Sequence, residues 1–493
     1  MKLLKTGQSM TKGIIAAGHD KTAEAAAIIL RDGGNAYDAA IAAFFASFIT
    51  EPCMSSPGGG AFANVRTAEG QSIFLDFFCQ TPRNKQLDRP VEFEPMVVNF
   101  GSTSETFHLG MGAIAVPGIT AGIYYLHEHF ATRPLEVLVQ PALDLARNGV
   151  IMNGFQHFDI CVLKAIMTKE EEPRSIFYPN GEPLAVGSTL AMPALADYLE
   201  VLIKEGQQEF YEGEFAKRLV ADCKERGGFI TLEDMRHYKV NVGKPLRFSY
   251  RNKTVLTNPL PSVGGTLMGL LLRKLEQYPQ NSYKPFSSTH VQALQQSLDE
   301  VYRIERTVTN LNKKWGSTSH FNIVDKVGNA ISITMSNGEG CGYMVEGTNV
   351  MLNNMLGETS LLPGGFHSWI PDTRLASMMA PTIVLDQYNQ IETVLGTGGA
   401  SRIPAAIAQV LHYLIDFNFP VSEAVHASRL HNEHLELNLE PAFVGKHLPQ
   451  PNLGVVNWDN TAMFFGGVHT IHRQGKKWQA AADDRREGFA LEV

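Results

Sequence analysis

Cysteine is scarce in this chain of 493 residues: Cys53, Cys79, Cys161, Cys223 and Cys341 are odd in number, far apart and without a CxxC pair. That spacing argues against a disulfide framework, offers no zinc site, and suits reduced thiols in a cytosol. Long apolar runs are lacking too. No segment approaches the ~20 apolar residues of a membrane span. Met1-Lys2-Leu3-Leu4-Lys5-Thr6-Gly7-Gln8 lacks the continuous apolar stretch of a signal peptide, so a cytoplasmic protein without membrane contact is expected. Basic charge is not in surplus: 42 Lys and Arg against 50 Asp and Glu leave a net charge of −8, and the basic residues are scattered. A phosphate-neutralising face, and with it a nucleic-acid partner, is not indicated. No Pro/Ser/Gln-rich tract, charge block or repeat of fixed period divides the chain, which sets aside solenoids and propellers and leaves one large unit.

What is present builds a large core, with 44% hydrophobic and 19% charged residues. Thr22 to Thr50 reads as two Ala-rich helices broken at Gly33-Gly34, and the second, apolar on nearly every side, is expected against a sheet. Alternation at Ala61 to Arg66 and Ser72 to Phe77 predicts a β-hairpin. Pro134 to Val150 has helical periodicity, and Gly227 to Val240 reads as a loop followed by a short helix. His320 to Val324 and Ala330 to Met335 predict a second hairpin, closed by Asp325 to Asn329. Strands at Thr382 to Leu385 and Glu392 to Leu395 and a helix from Pro404 to Phe417 complete an α+β pattern. The expectation is four layers, with helices outside two packed sheets.

Two segments carry candidate chemistry. Gly316-Ser317-Thr318-Ser319-His320-Phe321 sets three hydroxyls directly ahead of a strand, a pattern also common on plain surfaces. Gly396-Thr397-Gly398-Gly399-Ala400-Ser401-Arg402 is rich in free backbone N–H groups ahead of a helix. Such groups suit a developing negative charge, and equally a simple strand-to-helix turn.

The first segment resembles the start of the small subunit of γ-glutamyltransferases, in which a Thr-Thr-His string and a Val-rich strand follow a self-cleavage point. Other blocks resembling that family follow in the same order: Gly34 to Ala40, Ser56 to Gly60, Val116-Pro117-Gly118, Gly227 to Val240, Asn258-Pro259, Leu352-Asn353-Asn354, Met379 to Thr382, Gly396 to Arg402 and Asp483 to Gly488. The resemblance implies the αββα fold of N-terminal nucleophile hydrolases. It also implies cleavage before Thr318 into regions 1–317 and 318–493 that stay together as one unit, whether or not they oligomerise. Thr318 would then be the nucleophile, and its new α-amine, with an ordinary pKa of ~8, the base for its own hydroxyl. By the same resemblance Ser336 replaces a family Thr whose hydroxyl contacts the nucleophile, and Gly399 and Ala400 align with paired oxyanion donors, the second usually Gly. Glu358 replaces the Asp that receives a substrate amine, and Ser377 keeps one of two carboxylate-binding hydroxyls, the other having become Ala376. Asn337 stands next to Gly338, where the family has Asn.

One departure is larger. The family's substrate-binding Arg aligns with Phe78, and a carboxylate buried opposite a Phe lacks its ionic partner. Arg83, past Pro82, is the candidate replacement, or else a solvated loop residue. The implied activity is hydrolysis or transfer of a γ-glutamyl, glutathione-like amide. An amidase or acylase with another acyl group is the alternative, and an unprocessed binding protein of the same fold is a third reading. No cofactor or metal is expected: His426, His431, His434 and Glu433 lack the i, i+4 pairing of a zinc-protease helix. Gly58-Gly59-Gly60 and Gly264-Gly265 lack the Lys-Ser/Thr of a phosphate loop.

Overall fold

In the computed structural model the described residues are 12–99, 104–309, 317–362, 364–433, 436–447 and 453–493. Alternating side chains build two antiparallel sheets. The first has seven strands in the order Phe489–Glu492, Gly13–Ala17, Thr318–Asp325, Ala330–Ser336, Gly60–Arg66, Ser72–Phe77 and Asn241–Gly243. The second has six: Lys477–Ala481, His469–Gln474, Ile391–Gly396, Thr382–Leu385, Lys253–Thr257 and Leu246–Tyr250.

The period of two sorts these strands into layers. Ile15, Ala17, Phe321, Ile323, Ile331 and Ile333 face a helical layer that includes Ala36–Thr50. Ile14, Ala16, Val324 and Ala330 instead meet Leu256, Ile383, Val394 and Ile471 of the second sheet. On that sheet's far face Val255, Val384 and Leu395 pack with Leu267, Leu271, Ile407 and Leu411 of the helices Gly264–Leu275 and Ile403–Asp416. The expected four layers are therefore present.

The helical hairpin lies as its sequence predicts. Asp20–Arg31 ends before Gly33, whose φ of +86° fits a left-handed position, and every residue of Ala36–Thr50 is buried. Asn35 and Asp38 form a capping box, and Asp325 at the end of the strand Thr318–Asp325 accepts the N–H of Ala36 at 3.0 Å. The same carboxylate takes the N–H groups of Val327, Gly328 and Asn329, closing the turn between the two central strands.

Regions 1–317 and 318–493 interleave. The strand beginning at Thr318 is flanked by Gly13–Ala17 on one side and Ala330–Ser336 on the other. Each sheet draws strands from both regions.

Candidate active site

Thr318 is the first residue of a strand buried along all its length, and it pairs with Ser336 at the end of the neighbouring strand. The two residues are 5% and 7% exposed, so both are buried. The turn that follows Ser336 grips the residue before Thr318. Ser336 Oγ donates to the carbonyl oxygen of Ser317 at 2.6 Å and itself receives the Gly338 N–H at 3.0 Å. The Ser317 N–H donates to Glu339 Oε1 at 3.0 Å, and the Ser317 hydroxyl donates to Glu339 Oε2. All three polar groups of Ser317 thus end on the turn Ser336 to Glu339.

Glu339 is itself buried, 1% exposed, and its backbone N–H donates to Asn354 Oδ1 at 2.8 Å. Burial, reinforced by Glu358, pushes its carboxyl well above the ordinary range, while the two bonds from Ser317 act in the opposite sense. Gly338 has φ +64°, and a Cβ there would stand 2.1 Å from Asn354 Oδ1 and 2.5 Å from Glu358 Oε1. That crowding explains why a residue with a side chain does not occupy the position.

The glycine-rich loop lies against the other side of Thr318. A Cβ on Gly398 would stand 1.9 Å from the Thr318 carbonyl oxygen, so only glycine allows this approach. Arg486 Nη1 donates to the same oxygen at 3.1 Å. Gly399 has φ +129° and Ala400 φ +49°, after which the chain enters Ile403–Asp416. The left-handed alanine costs about 1 kcal/mol or more relative to a relaxed backbone.

His320 follows in the Thr-Ser-His string but is not placed as a base. Its ring nitrogens contact Thr334 Oγ1 at 2.8 Å and Asn322 Oδ1 at 2.9 Å, and burial holds it well below its usual pKa. Ser319 donates to buried Glu51, whose carboxyl is raised by that burial. Asp159 is pushed up to about 7 by burial, with Arg486 lowering it and Glu51 raising it.

The remaining sequence candidates are placed unevenly. Glu358 lies beside Gly338, near Glu339. Ser377 is buried. Its Oγ accepts the Met379 N–H at 3.2 Å, and its carbonyl accepts from Ser262 Oγ and Val263 N. The Asn337 amide donates to the Met351 carbonyl at 3.3 Å, which braces the turn. The Arg83 guanidinium pairs with Asp372 at 3.2 Å and Glu233 at 3.8 Å on a partly exposed face. The Phe78 ring stacks on Phe62 at 5.1 Å within the core. Arg374 does reach this strand end, but it donates to the carbonyls of Phe78 and Lys239 and lies 3.3 Å from Asp76.

Sequence reasoning missed Glu339, Asp159 and Glu51 and named Arg486 only within a block. Glu339 stands between Gly338 and Gly340, and nothing local ties it to Ser317. The cysteines are free. Among the described residues no three His, Cys, Asp or Glu gather as metal ligands, and no helix is long and apolar enough to cross a membrane. His434 lies outside the described residues.

Two sheets between helical layers, with a threonine opening a central strand, define the α+β fold of N-terminal nucleophile hydrolases. The fold is also that of a cephalosporin acylase from Bacillus halodurans, with a TM-score of 0.80 at 22% identity over 100% of this chain and 97% of that one. The family model described as Gamma-glutamyltranspeptidase matches residues 22–313 and 300–493. A glutathione hydrolase proenzyme of Escherichia coli (strain K12) is 30% identical over 88% of this chain and 83% of that protein. The Acylase ACY 1 proenzyme of Pseudomonas sp. (strain SE83) is 28% identical over 89% and 86%. This chain belongs to the gamma-glutamyltranspeptidase family and is an enzyme of that family.

Proposed function

We propose that the chain cuts itself before Thr318 and then uses that threonine to hydrolyse or transfer the acyl group of a small amide. The observation that carries this reading is the 2.6 Å bond from Ser336 Oγ to the carbonyl oxygen of Ser317, on the bond to be cut. A donor there polarises the carbonyl for attack by Thr318 Oγ. The bond from Oγ to the Ser317 carbon forms, the bond from that carbon to the Thr318 nitrogen breaks, and the nitrogen takes the hydroxyl proton. Water then opens the ester, leaving a carboxylate on Ser317 and a free amine on Thr318. The names of the two proenzyme relatives accord with such a step.

In the cut enzyme the Thr318 amine accepts the proton of its own hydroxyl, the oxygen attacks the substrate carbonyl, and the N–H groups of Gly399 and Ala400 receive the oxyanion. The leaving amine takes the proton, and water or a second amine releases the acyl group. Large and small fragments remain joined through the shared sheets.

A γ-glutamyl, glutathione-like amide is the first substrate class, by kinship with the glutathione hydrolase relatives. A specific observation favours a second class: Phe78 is packed on Phe62, and Arg83 is held by surface acids, so an acyl group without an α-carboxylate fits better. A denaturing gel of purified protein tests the self-cutting step. Bands of about 35 and about 19 kDa are expected from the position of the cut; a lasting single band at 54.2 kDa refutes the reading.

A further inference from the structure

In self-cleavage Ser317 is esterified to Thr318 Oγ, and in turnover the substrate's acyl group is esterified to the same oxygen. The two esters share the Thr318 oxygen, so each sets its own carbonyl carbon beside it and its acyl substituent on the same side. Groups that hold Ser317 therefore border the space of the substrate's acyl group once Ser317 has gone.

Both donors of Ser317, its N–H and its hydroxyl, end on one buried carboxyl, that of Glu339. When Ser317 departs, that carboxyl loses two donors in a place where an unpaired polar group is costly. Glu358 borders the same turn, separated from Glu339 by Gly338, where no side chain fits. A second carboxylate entering here would meet two acids. Of the arginines nearby, Arg486 interacts with Glu339 but is held on the Thr318 carbonyl, and Arg374 spans the Phe78 and Lys239 carbonyls. An ammonium, by contrast, supplies three donors and the opposite charge.

We propose that Glu339 is a specificity-determining residue of the cut enzyme, and that with Glu358 it receives a short acyl group ending in an ammonium and carrying no carboxylate. The β-alanyl group sets its nitrogen the same number of bonds from the carbonyl carbon as the Ser317 hydroxyl oxygen. The inference rests on Thr318 being the nucleophile of a self-cut chain. Burial and Glu358 hold the Glu339 carboxyl up, and an incoming cation would draw it back toward its ionised form.

Four p-nitroanilides separate the features: propionyl carries neither charge, β-alanyl the ammonium, succinyl the carboxylate and γ-glutamyl both. The purified enzyme is expected to show kcat/KM for β-alanyl about tenfold or more above propionyl, as one charge-assisted bond gives. Succinyl is expected to fall below propionyl. Glu339→Gln should collapse the ratio of β-alanyl to propionyl toward one while propionyl turnover reports that the variant is cut and active. If Glu339→Gln stays uncut, Glu358→Gln is expected to lower the same ratio, and the wild-type ranking stands as a test without any variant. Equal rates for β-alanyl and propionyl, or faster turnover of succinyl or γ-glutamyl, overturn the inference while leaving Thr318 chemistry intact. An uncut chain, or no turnover of any of the four, overturns the Thr318 reading and this one with it.

Discussion

Ser336 Oγ and the Ser317 carbonyl oxygen are 2.6 Å apart, and Gly338 N–H stands 3.0 Å behind the serine oxygen. The hydroxyl is thereby turned so that its proton lies on the carbonyl that the proposed self-cutting attacks. The relay is built by a strand end and its following turn, so it is already formed in the uncut chain.

Ser336→Ala is accordingly expected to slow self-cutting by about 10²–10³-fold, the usual loss for one oxyanion donor. Ser336→Thr keeps the hydroxyl and should retain most of the rate. A gel time course of freshly made protein reads both, and unimpaired cutting in the alanine variant would rule out the donor role.

Gly338 owes its identity to crowding. Gly338→Asn places a Cβ against Asn354 Oδ1 and Glu358 Oε1 and should destabilise the chain by about 1–3 kcal/mol. Adding Glu358→Asp is expected to recover part of that loss. Thermal unfolding of the two single variants and the double variant forms the cycle, and strict additivity would show that the two side chains do not collide.

Asp159 gives a pH-dependent test. Its pKa is raised from 3.8 to about 7, so between these values the folded chain keeps a proton that the unfolded chain has released. Stability contributed by this group is full below about pH 4 and is lost as pH rises through about 7. Asp159→Asn should therefore be more stable than wild type at pH 8, by up to ~4 kcal/mol, and the gain should vanish near pH 4. A gain independent of pH would point to packing instead.

Ala400 occupies a left-handed position that glycine adopts without strain. Ala400→Gly is expected to leave the melting temperature unchanged or slightly higher, because relief of strain offsets the greater entropy of an unfolded glycine. Ala400→Val should cost more than ~1 kcal/mol, since β-branching worsens the same conformation. Equal stability of all three would mean that the loop relaxes freely.

Much of this was legible in the chain. Alternation at Ala61 to Arg66 and Ala330 to Met335 predicts strands that the structure extends by a residue at most, because period-two burial is a local property. The hydroxyls before His320 and the glycines before Ser401 are likewise local, and Gly398 lies against the Thr318 carbonyl. Glu339 was not legible, since nothing in Gly338-Glu339-Gly340 states that Ser317, 22 positions away, lies over it.

By itself the sequence determined the elements, the strand from His320 that the structure begins at Thr318, and the backbone-rich loop, all of which follow from periodicity and from residue types within a few positions. Tertiary structure alone decided the environment: Phe78 turned into the core, Arg83 out to Asp372, and Arg486 onto the Thr318 carbonyl from 168 positions along the chain. Such choices depend on which buried polar groups find partners once the sheets have packed, and that competition is settled between distant segments, not within them.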